Sequence, residues 1–220
     1  MIISNIGSYP LYTFTNAALV DKILPKVKNL HYESVYSHKE NNNPSQLGYE
    51  KTDDFFSSFY DEELYSWLEN CAQQILEKHF NNKDTNIKLK ICDLWTTKSS
   101  FGQYAHRHRH PFSFFSGLYY MNDCDRSETC FYYEDVVYDH WKYFLGPRGK
   151  NNTQKVKIKP EKGKLIMWPS MLEHAISTHT GKENRYTLAF NTMFNGIIED
   201  PTSRLELKVT ELKDQKFKYT

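Results

Sequence analysis

The sequence lacks a strong charge of either sign, a long apolar run and a dense set of cysteines. Its 28 Lys and Arg residues nearly balance 27 Asp and Glu residues, so the net charge of +1 gives no reason to expect a nucleic-acid or membrane surface. No apolar stretch reaches the length of a membrane span. Four cysteines in 220 residues do not indicate a disulfide framework. Because Asn5, Gly7 and Ser8 interrupt the early apolar run, we expect no secretory signal and therefore a cytoplasmic protein.

Aromatic residues, by contrast, are abundant. They make up 15% of the chain, with 16 Tyr and 14 Phe, which favours strands over long helices. The length is enough to bury a real core, and one domain is the simplest expectation.

Two helices are predicted in the first third of the chain. Asn16 is a suitable N-cap for a helix that Pro25 would end or kink, after a strand over Met1–Tyr12. A longer helix is predicted from about Asp61 to Phe80. Its apolar residues fall on one face: Leu64, Trp67, Leu68, Cys71 and Ile75.

Short strands dominate the rest of the chain. Ile87, Leu89 and Ile91 alternate with lysines, which predicts a half-buried strand. Further strand-like segments recur between polar turns: 101–110, 114–121, 129–137, 154–158, 163–168, 172–178, 184–193 and a last one around 205–209. Many short strands with polar turns indicate a barrel or a double-sheet sandwich, so the predicted class is α+β.

Three histidines occupy alternate positions at His106, His108 and His110. In an extended strand, alternate residues face one side, so these imidazoles would project together. Imidazole binds iron, zinc, copper and nickel, and the best-placed partner from a distant strand is His174. Histidines on a solvent-exposed strand face would show the same alternation. His174 taken alone is as typical of a hydrogen-bonded core histidine as of a metal ligand.

A later strand carries Arg185, Thr187, Ala189 and Asn191 on one face. If that face points inward it buries an arginine, which is unfavourable without a partner. A ligand carboxylate would satisfy Arg185 in bidentate fashion, and Thr187 would add a hydroxyl donor. The alternative is a simple salt bridge between Arg185 and Glu183.

Four motifs follow one another along the chain. They are His108-Arg109-His110-Pro111, Ser116-Gly117-Leu118-Tyr119-Tyr120, Pro169-Ser170 followed by His174, and Arg185-Tyr186-Thr187-Leu188-Ala189-Phe190-Asn191. Taken in this order, they resemble a known family, the iron(II)- and 2-oxoglutarate-dependent oxygenases of the double-stranded β-helix fold. The resemblance is nearest to a branch common in phage and bacterial genomes, and it covers about residues 90–195.

The resemblance implies a jelly-roll, cupin-like core supported by N-terminal helices. We therefore expect a single oxygenase domain over 1–220. Its parts would be a partly helical region at about 1–85, the core at about 86–195 and a C-terminal extension at 196–220.

The resemblance also implies residue roles. His108, His110 and His174 would bind iron(II), with His110 standing where most of the superfamily has Asp or Glu. His106 with His108 is the alternative proximal pair.

For the cosubstrate, the resemblance implies that Arg185 pairs with the distal carboxylate of 2-oxoglutarate. Thr187 and Tyr120 would assist it, and Asn191 would line the same cavity. The implied reaction couples oxidative decarboxylation of 2-oxoglutarate by oxygen to hydroxylation of a substrate that the sequence does not specify.

Two other functions fit the histidines. One is a three-histidine cupin-like metalloenzyme that does not use 2-oxoglutarate, and the other is a metal- or ligand-binding sandwich without turnover. The spacing of Arg185 and Thr187 favours the oxygenase, because only that reading needs a carboxylate anchor.

Overall fold

The computed structural model describes residues 1–7, 9–34, 50–51, 61–80, 87–133, 155–199 and 202–209. Residues 134–137 of a predicted strand lie outside these ranges. Within them, neither helix is long and apolar enough to cross a membrane, and the four cysteines of the chain are all free.

Antiparallel strands in the described ranges form a large and a small sheet. The large sheet runs in the order β1 (Ile2–Ile6), β2 (Tyr9–Thr15), β10 (Lys164–Pro169), β7 (Phe115–Tyr120), β12 (Arg185–Glu199), β5 (Lys88–Ser99), β4 (Glu50–Lys51), β3 (Glu33–Ser34), and β13 (Arg204–Leu207) pairs with β12. The small sheet runs in the order β6 (Ala105–His108), β11 (Glu173–Ile176), β8 (Thr129–Tyr132), β9 (Lys155–Ile158). This arrangement of two sheets is the double-stranded β-helix that the family resemblance implied.

Helices α1 (Ala17–Lys28) and α2 (Glu62–Lys78) begin where their caps predict. The Asn16 side chain accepts a hydrogen bond from the Leu19 N–H at 3.1 Å, and Asp61 accepts one from the Leu64 N–H at 3.1 Å. Of the two predicted effects of Pro25, an end of α1 or a kink in it, the first is not observed, because the helix continues to Lys28. Pro25 lies on the exposed face, where water can reach the carbonyl that loses its helical partner.

The core has two layers on opposite faces of the large sheet. On one face the sheet packs against the helices, with Tyr119 and Phe190 among the buried residues. On the other face Leu118, Tyr120 and Ala189 belong to a cluster that also contains residues of the small sheet. Because both of its faces are covered, every residue of β7 is buried. The candidate site lies in the second layer, between the two sheets.

Several strand boundaries differ from the sequence predictions. The predicted single strand at Met1–Tyr12 is a hairpin of β1 and β2, in which Gly7 adopts φ +60° and Ile6 pairs with Tyr9. The strand predicted over 101–110 is reduced to β6, which ends at His108. Strand β12 runs on to Glu199, past its predicted end at 193.

Candidate metal centre and adjoining cavity

Three histidine side chains meet between the sheets. His108 and His174 are direct partners in the β6–β11 register, and their ring centroids lie 4.3 Å apart. His110 completes the group, with its Nε2 3.2 Å from Nε2 of His108. One ring nitrogen from each residue lies within 4.8 Å of the others, which is close enough to bind a single metal ion.

Strand alternation does not explain how His110 joins this group, because β6 ends at His108. Its backbone N–H donates to the Ser170 carbonyl at 3.1 Å, which joins it to the turn between β10 and β11. Its ring stacks on Trp95, with centroids 5.6 Å and planes 19° apart. His106, the alternative ligand, is exposed and packs against Tyr104 outside the group.

Each of the three imidazoles has an oxygen acceptor at Nδ1. Nδ1 of His108 lies 2.7 Å from the His106 carbonyl, and Nδ1 of His174 lies 3.1 Å from the Leu172 carbonyl. Nδ1 of His110 lies 2.9 Å from Oδ1 of Asn191. Donation at Nδ1 leaves each Nε2 with a free lone pair, which is the tautomer a metal ligand requires.

The surroundings keep two of these rings uncharged. Burial, reinforced by the neighbouring His108, lowers the pKa of His110 to about 4. Burial also lowers the pKa of His174 well below its usual value, and the other two histidines act in the same direction. At neutral pH His110 and His174 are therefore neutral imidazoles, the form that binds metals.

A cavity extends from the histidines between the sheets and has two kinds of wall. Apolar walls come from Leu118, Trp168 and Ala189, whereas Ser99 and Thr97 of β5 make it polar beside Arg185. The lining residues are Trp95, Thr97, Ser99, Ala105, His108, His110, Gly117, Leu118, Trp168, His174, Ile176, Arg185, Thr187 and Ala189.

Arg185 is the cationic group of this cavity and is only 1% exposed. Its guanidinium carbon lies 5.5 Å from the centre of the Tyr120 ring. Among the described residues, no hydrogen-bond partner is found for its Nε and Nη2, and the salt bridge to Glu183 is not formed. Burial lowers the pKa of Arg185, and the neighbouring Tyr120 opposes that shift. A buried guanidinium with free donors is unfavourable until an acceptor satisfies it.

A second donor in the cavity is also unsatisfied. Trp168 is 2% exposed, lines the same cavity, and its Nε1–H has no partner within the described part of the chain. The cavity therefore presents buried donors from two residues to a ligand that carries acceptor oxygens.

The other residues suggested for the cosubstrate are buried near Arg185 or near the histidines. The Thr187 hydroxyl lies 2.5 Å from that of Thr97, and the Tyr120 hydroxyl lies 2.7 Å from that of Thr129. Asn191 is hydrogen-bonded to His110 and is not among the residues that line the cavity.

Sequence reasoning missed several residues around the site. Trp168 immediately precedes the Pro169-Ser170 motif, so its position there was a usable signal. Trp95 and Asp93 lie on β5, and their proximity to the site follows only from the pairing of β5 with β12.

One known protein family matches the part of the chain that contains this site. A family model described as "Putative 2OG-Fe(II) oxygenase" matches residues 93–191. Residues 93–191, a little under half of the chain, thus match the iron(II)- and 2-oxoglutarate-dependent oxygenases, a family of oxidoreductases whose cosubstrates are 2-oxoglutarate and oxygen. No curated protein matches the sequence significantly.

Solved structures share the fold at low sequence identity. A 2OG-Fe(II) oxygenase family oxidoreductase from Burkholderia pseudomallei is 11% identical with a TM-score of 0.56, and the match covers 83% of each chain. A prolyl-4-hydroxylase from Pseudomonas putida is 11% identical with a TM-score of 0.57, covering 84% of this chain and 94% of the other. The epimerase SnoN from nogalamycin biosynthesis is 12% identical with a TM-score of 0.58, covering 83% and 77%.

Proposed function

We propose that the protein is a hydroxylase in which His108, His110 and His174 bind iron(II) and Arg185 binds the distal carboxylate of 2-oxoglutarate. The observation that carries this proposal is the pair of unsatisfied Arg185 nitrogens in the cavity that the three histidines line. A dicarboxylate with a keto acid at one end matches a cavity with metal ligands and one buried cation.

The histidines would hold the metal in a fixed geometry. Their Nδ1 hydrogen bonds set the tautomer and direct the three Nε2 atoms toward one another. Three protein ligands on one side of an ion leave positions for the cosubstrate and for oxygen. Bound iron(II) and 2-oxoglutarate supply the oxygen activation that amino-acid side chains cannot.

The rest of the cavity would orient the cosubstrate and exclude water. Arg185 is a fixed positive charge. Among the described residues no acidic side chain pairs with it, so its charge is available to the cosubstrate. Trp168 would donate a further hydrogen bond, and the walls at Leu118 and Ala189 would keep solvent from the reacting atoms.

Turnover tests the proposal without knowledge of the substrate. The protein supplied with iron(II), ascorbate, oxygen and 2-oxoglutarate should release succinate slowly, and zinc in place of iron should give none because zinc has no redox chemistry. Arg185→Gln should reduce this release, whereas Arg204→Gln, at an exposed arginine of β13, should not. Absence of both succinate and 2-oxoglutarate binding in the wild-type protein would contradict the proposal.

Once a substrate is found, the product distinguishes hydroxylation from other outcomes on this fold. A hydroxylase adds one oxygen atom to its product, as expected of a protein like the Pseudomonas putida neighbour. An epimerase, as the SnoN neighbour is named, leaves the product mass unchanged. Mass spectrometry of the product decides between these two outcomes.

A further inference from the structure

We propose that Asn191, itself oriented by Asp93, is a positioning residue that holds His110 in its metal-binding orientation. This role differs from the cosubstrate contact that the family resemblance suggested. It rests on the proposed function, because it requires His110 to be a metal ligand.

His110 needs such support because it lies beyond the end of β6, where strand pairing no longer fixes it. The stacking on Trp95 restrains the plane of the ring but leaves rotation within that plane free. The hydrogen bond from Nδ1 of His110 to Oδ1 of Asn191, at 2.9 Å, removes that freedom. With Nδ1 fixed, Nε2 faces the other two imidazoles.

The Asn191 amide is in turn held from both neighbouring strands. Asp93 is its register partner on β5, and the Asn191 Nδ2 donates to the Asp93 carboxylate at 3.4 Å. Ser116 is its register partner on β7, and the Ser116 hydroxyl lies 2.8 Å from Oδ1 of Asn191. A carboxylate can only accept, so Nδ2 must face Asp93 and Oδ1 must face His110.

The proton arrangement extends to the turn that carries His110. The amide oxygen of Asn191 accepts only, so the single proton of the Ser116 hydroxyl goes to Asn191. Ser170, whose hydroxyl lies 2.9 Å from that of Ser116, then donates to Ser116. The carbonyl of Ser170 also accepts from the His110 N–H, so the ring and the backbone of His110 are tied to one network.

Asp93 contributes charge as well as orientation. Imidazole ligands bring no negative charge to a divalent cation, whereas a carboxylate ligand does. A carboxylate at the far end of the amide polarises it, which makes Oδ1 a better acceptor and His110 a better electron donor to the metal. Asn191 and Asp93 therefore supply, through His110, part of the negative charge that a carboxylate ligand would bring to the metal directly.

Metal affinity is the property to measure, with cobalt(II) as the probe because its visible spectrum reports its ligands. Asn191→Ala should weaken cobalt(II) binding by about 10- to 100-fold and alter that spectrum. Asn195→Ala is the matched control, since it removes the same side chain from the same strand at a position hydrogen-bonded to Val209 instead. Circular dichroism of each variant confirms that it is folded.

Exchanging the residues at positions 93 and 191 tests whether Asn191 acts by orienting His110 or only by packing. Asp93→Asn with Asn191→Asp restores a complementary pair of reversed polarity and keeps an acceptor for His110, so binding should return to within a few-fold of wild type. If Asn191→Ala binds as the wild type does, or if the exchanged pair binds as weakly as Asn191→Ala, the inference is wrong. If the wild-type protein binds no cobalt(II), the proposed function fails instead.

Discussion

At the scale of single residues, the proposed ligands differ from their neighbour His106 in where their side chains lie. His106 is exposed, whereas the rings of His108 and His174 meet between the sheets. We predict that His108→Ala and His174→Ala each weaken iron(II) binding by more than about 100-fold, a larger loss than changes outside the ligand set produce. Anaerobic equilibrium titration measures this effect.

His106→Ala is the control in that titration and should bind iron(II) as the wild type does. Loss of binding in His106→Ala, with binding retained in His110→Ala, would instead support the alternative pair of His106 and His108. Full occupancy in either His108→Ala or His174→Ala would contradict the proposed ligand set.

The candidate site residues could be proposed from the sequence, but the contacts that support them could not. A histidine cluster and an arginine on an alternating strand are visible as residue types, and the structure places them in one cavity. The contacts of Asn191 with Asp93 and Ser116 depend on which strands flank β12. No local sequence pattern contains that information, since the three residues lie far apart in the chain.

At the scale of strands, Gly117 shows why the second motif has a glycine. A Cβ at this position would lie 2.2 Å from the Phe190 ring, which crosses Gly117 from the neighbouring strand. We predict that Gly117→Ala lowers the free energy of unfolding by about 1–3 kcal/mol, because the buried ring must be displaced. Urea denaturation followed by circular dichroism measures the change.

A second substitution tests the cause of that loss. Phe190→Leu removes the ring that the new methyl group would meet, so Gly117→Ala should destabilise a Phe190→Leu background by less than it destabilises the wild type. Equal losses in the two backgrounds would show that the Phe190 contact is not the reason for the glycine.

Element types were easier to predict than element lengths. The caps at Asn16 and Asp61 marked the helix starts, because a side-chain acceptor at an N-cap is a local requirement. The full extent of β5 was not apparent, because its pairing with β12 sustains it. The extension of β12 to Glu199 was not apparent either, because pairing with β13 sustains its last residues. The early end of β6 was missed for the same reason, since alternation continues in the sequence beyond the last paired residue.

At the scale of the whole molecule, the half-buried His110 and the buried His174 make stability depend on pH. The pKa of His110 is about 4 in the folded protein, against about 6.5 for an exposed histidine, and that of His174 is shifted in the same direction. Between these pH values His110 is protonated in the unfolded chain but neutral in the folded protein. The stability contribution is complete above about pH 6.5 and is lost as the pH falls toward 4.

Urea denaturation of the metal-free protein at several pH values measures this dependence. The free energy of unfolding should decrease as the pH is lowered from about 6.5, and the decrease should be smaller in His110→Gln, which cannot titrate there. An identical decrease in both proteins would show that His110 is not responsible.

The overall architecture was predictable as a class and, through the family resemblance, as a fold. The order of strands was not predictable from periodicity, because β10 and β12 are both placed beside β7 by long-range pairing. That order puts Arg185 and the histidines on the walls of one cavity, so the site depends on the topology of the whole chain.

The central claim is that the histidines and Arg185 bind one iron and one 2-oxoglutarate together, and anaerobic titration tests it most directly. The wild-type protein with iron(II) and 2-oxoglutarate should develop a weak visible charge-transfer band from the chelate. Arg185→Gln should retain iron(II) but need on the order of 100-fold more 2-oxoglutarate to reach the same band, since a buried bidentate pair is lost. An unchanged 2-oxoglutarate requirement in Arg185→Gln, or no band in the wild-type protein, would contradict the claim.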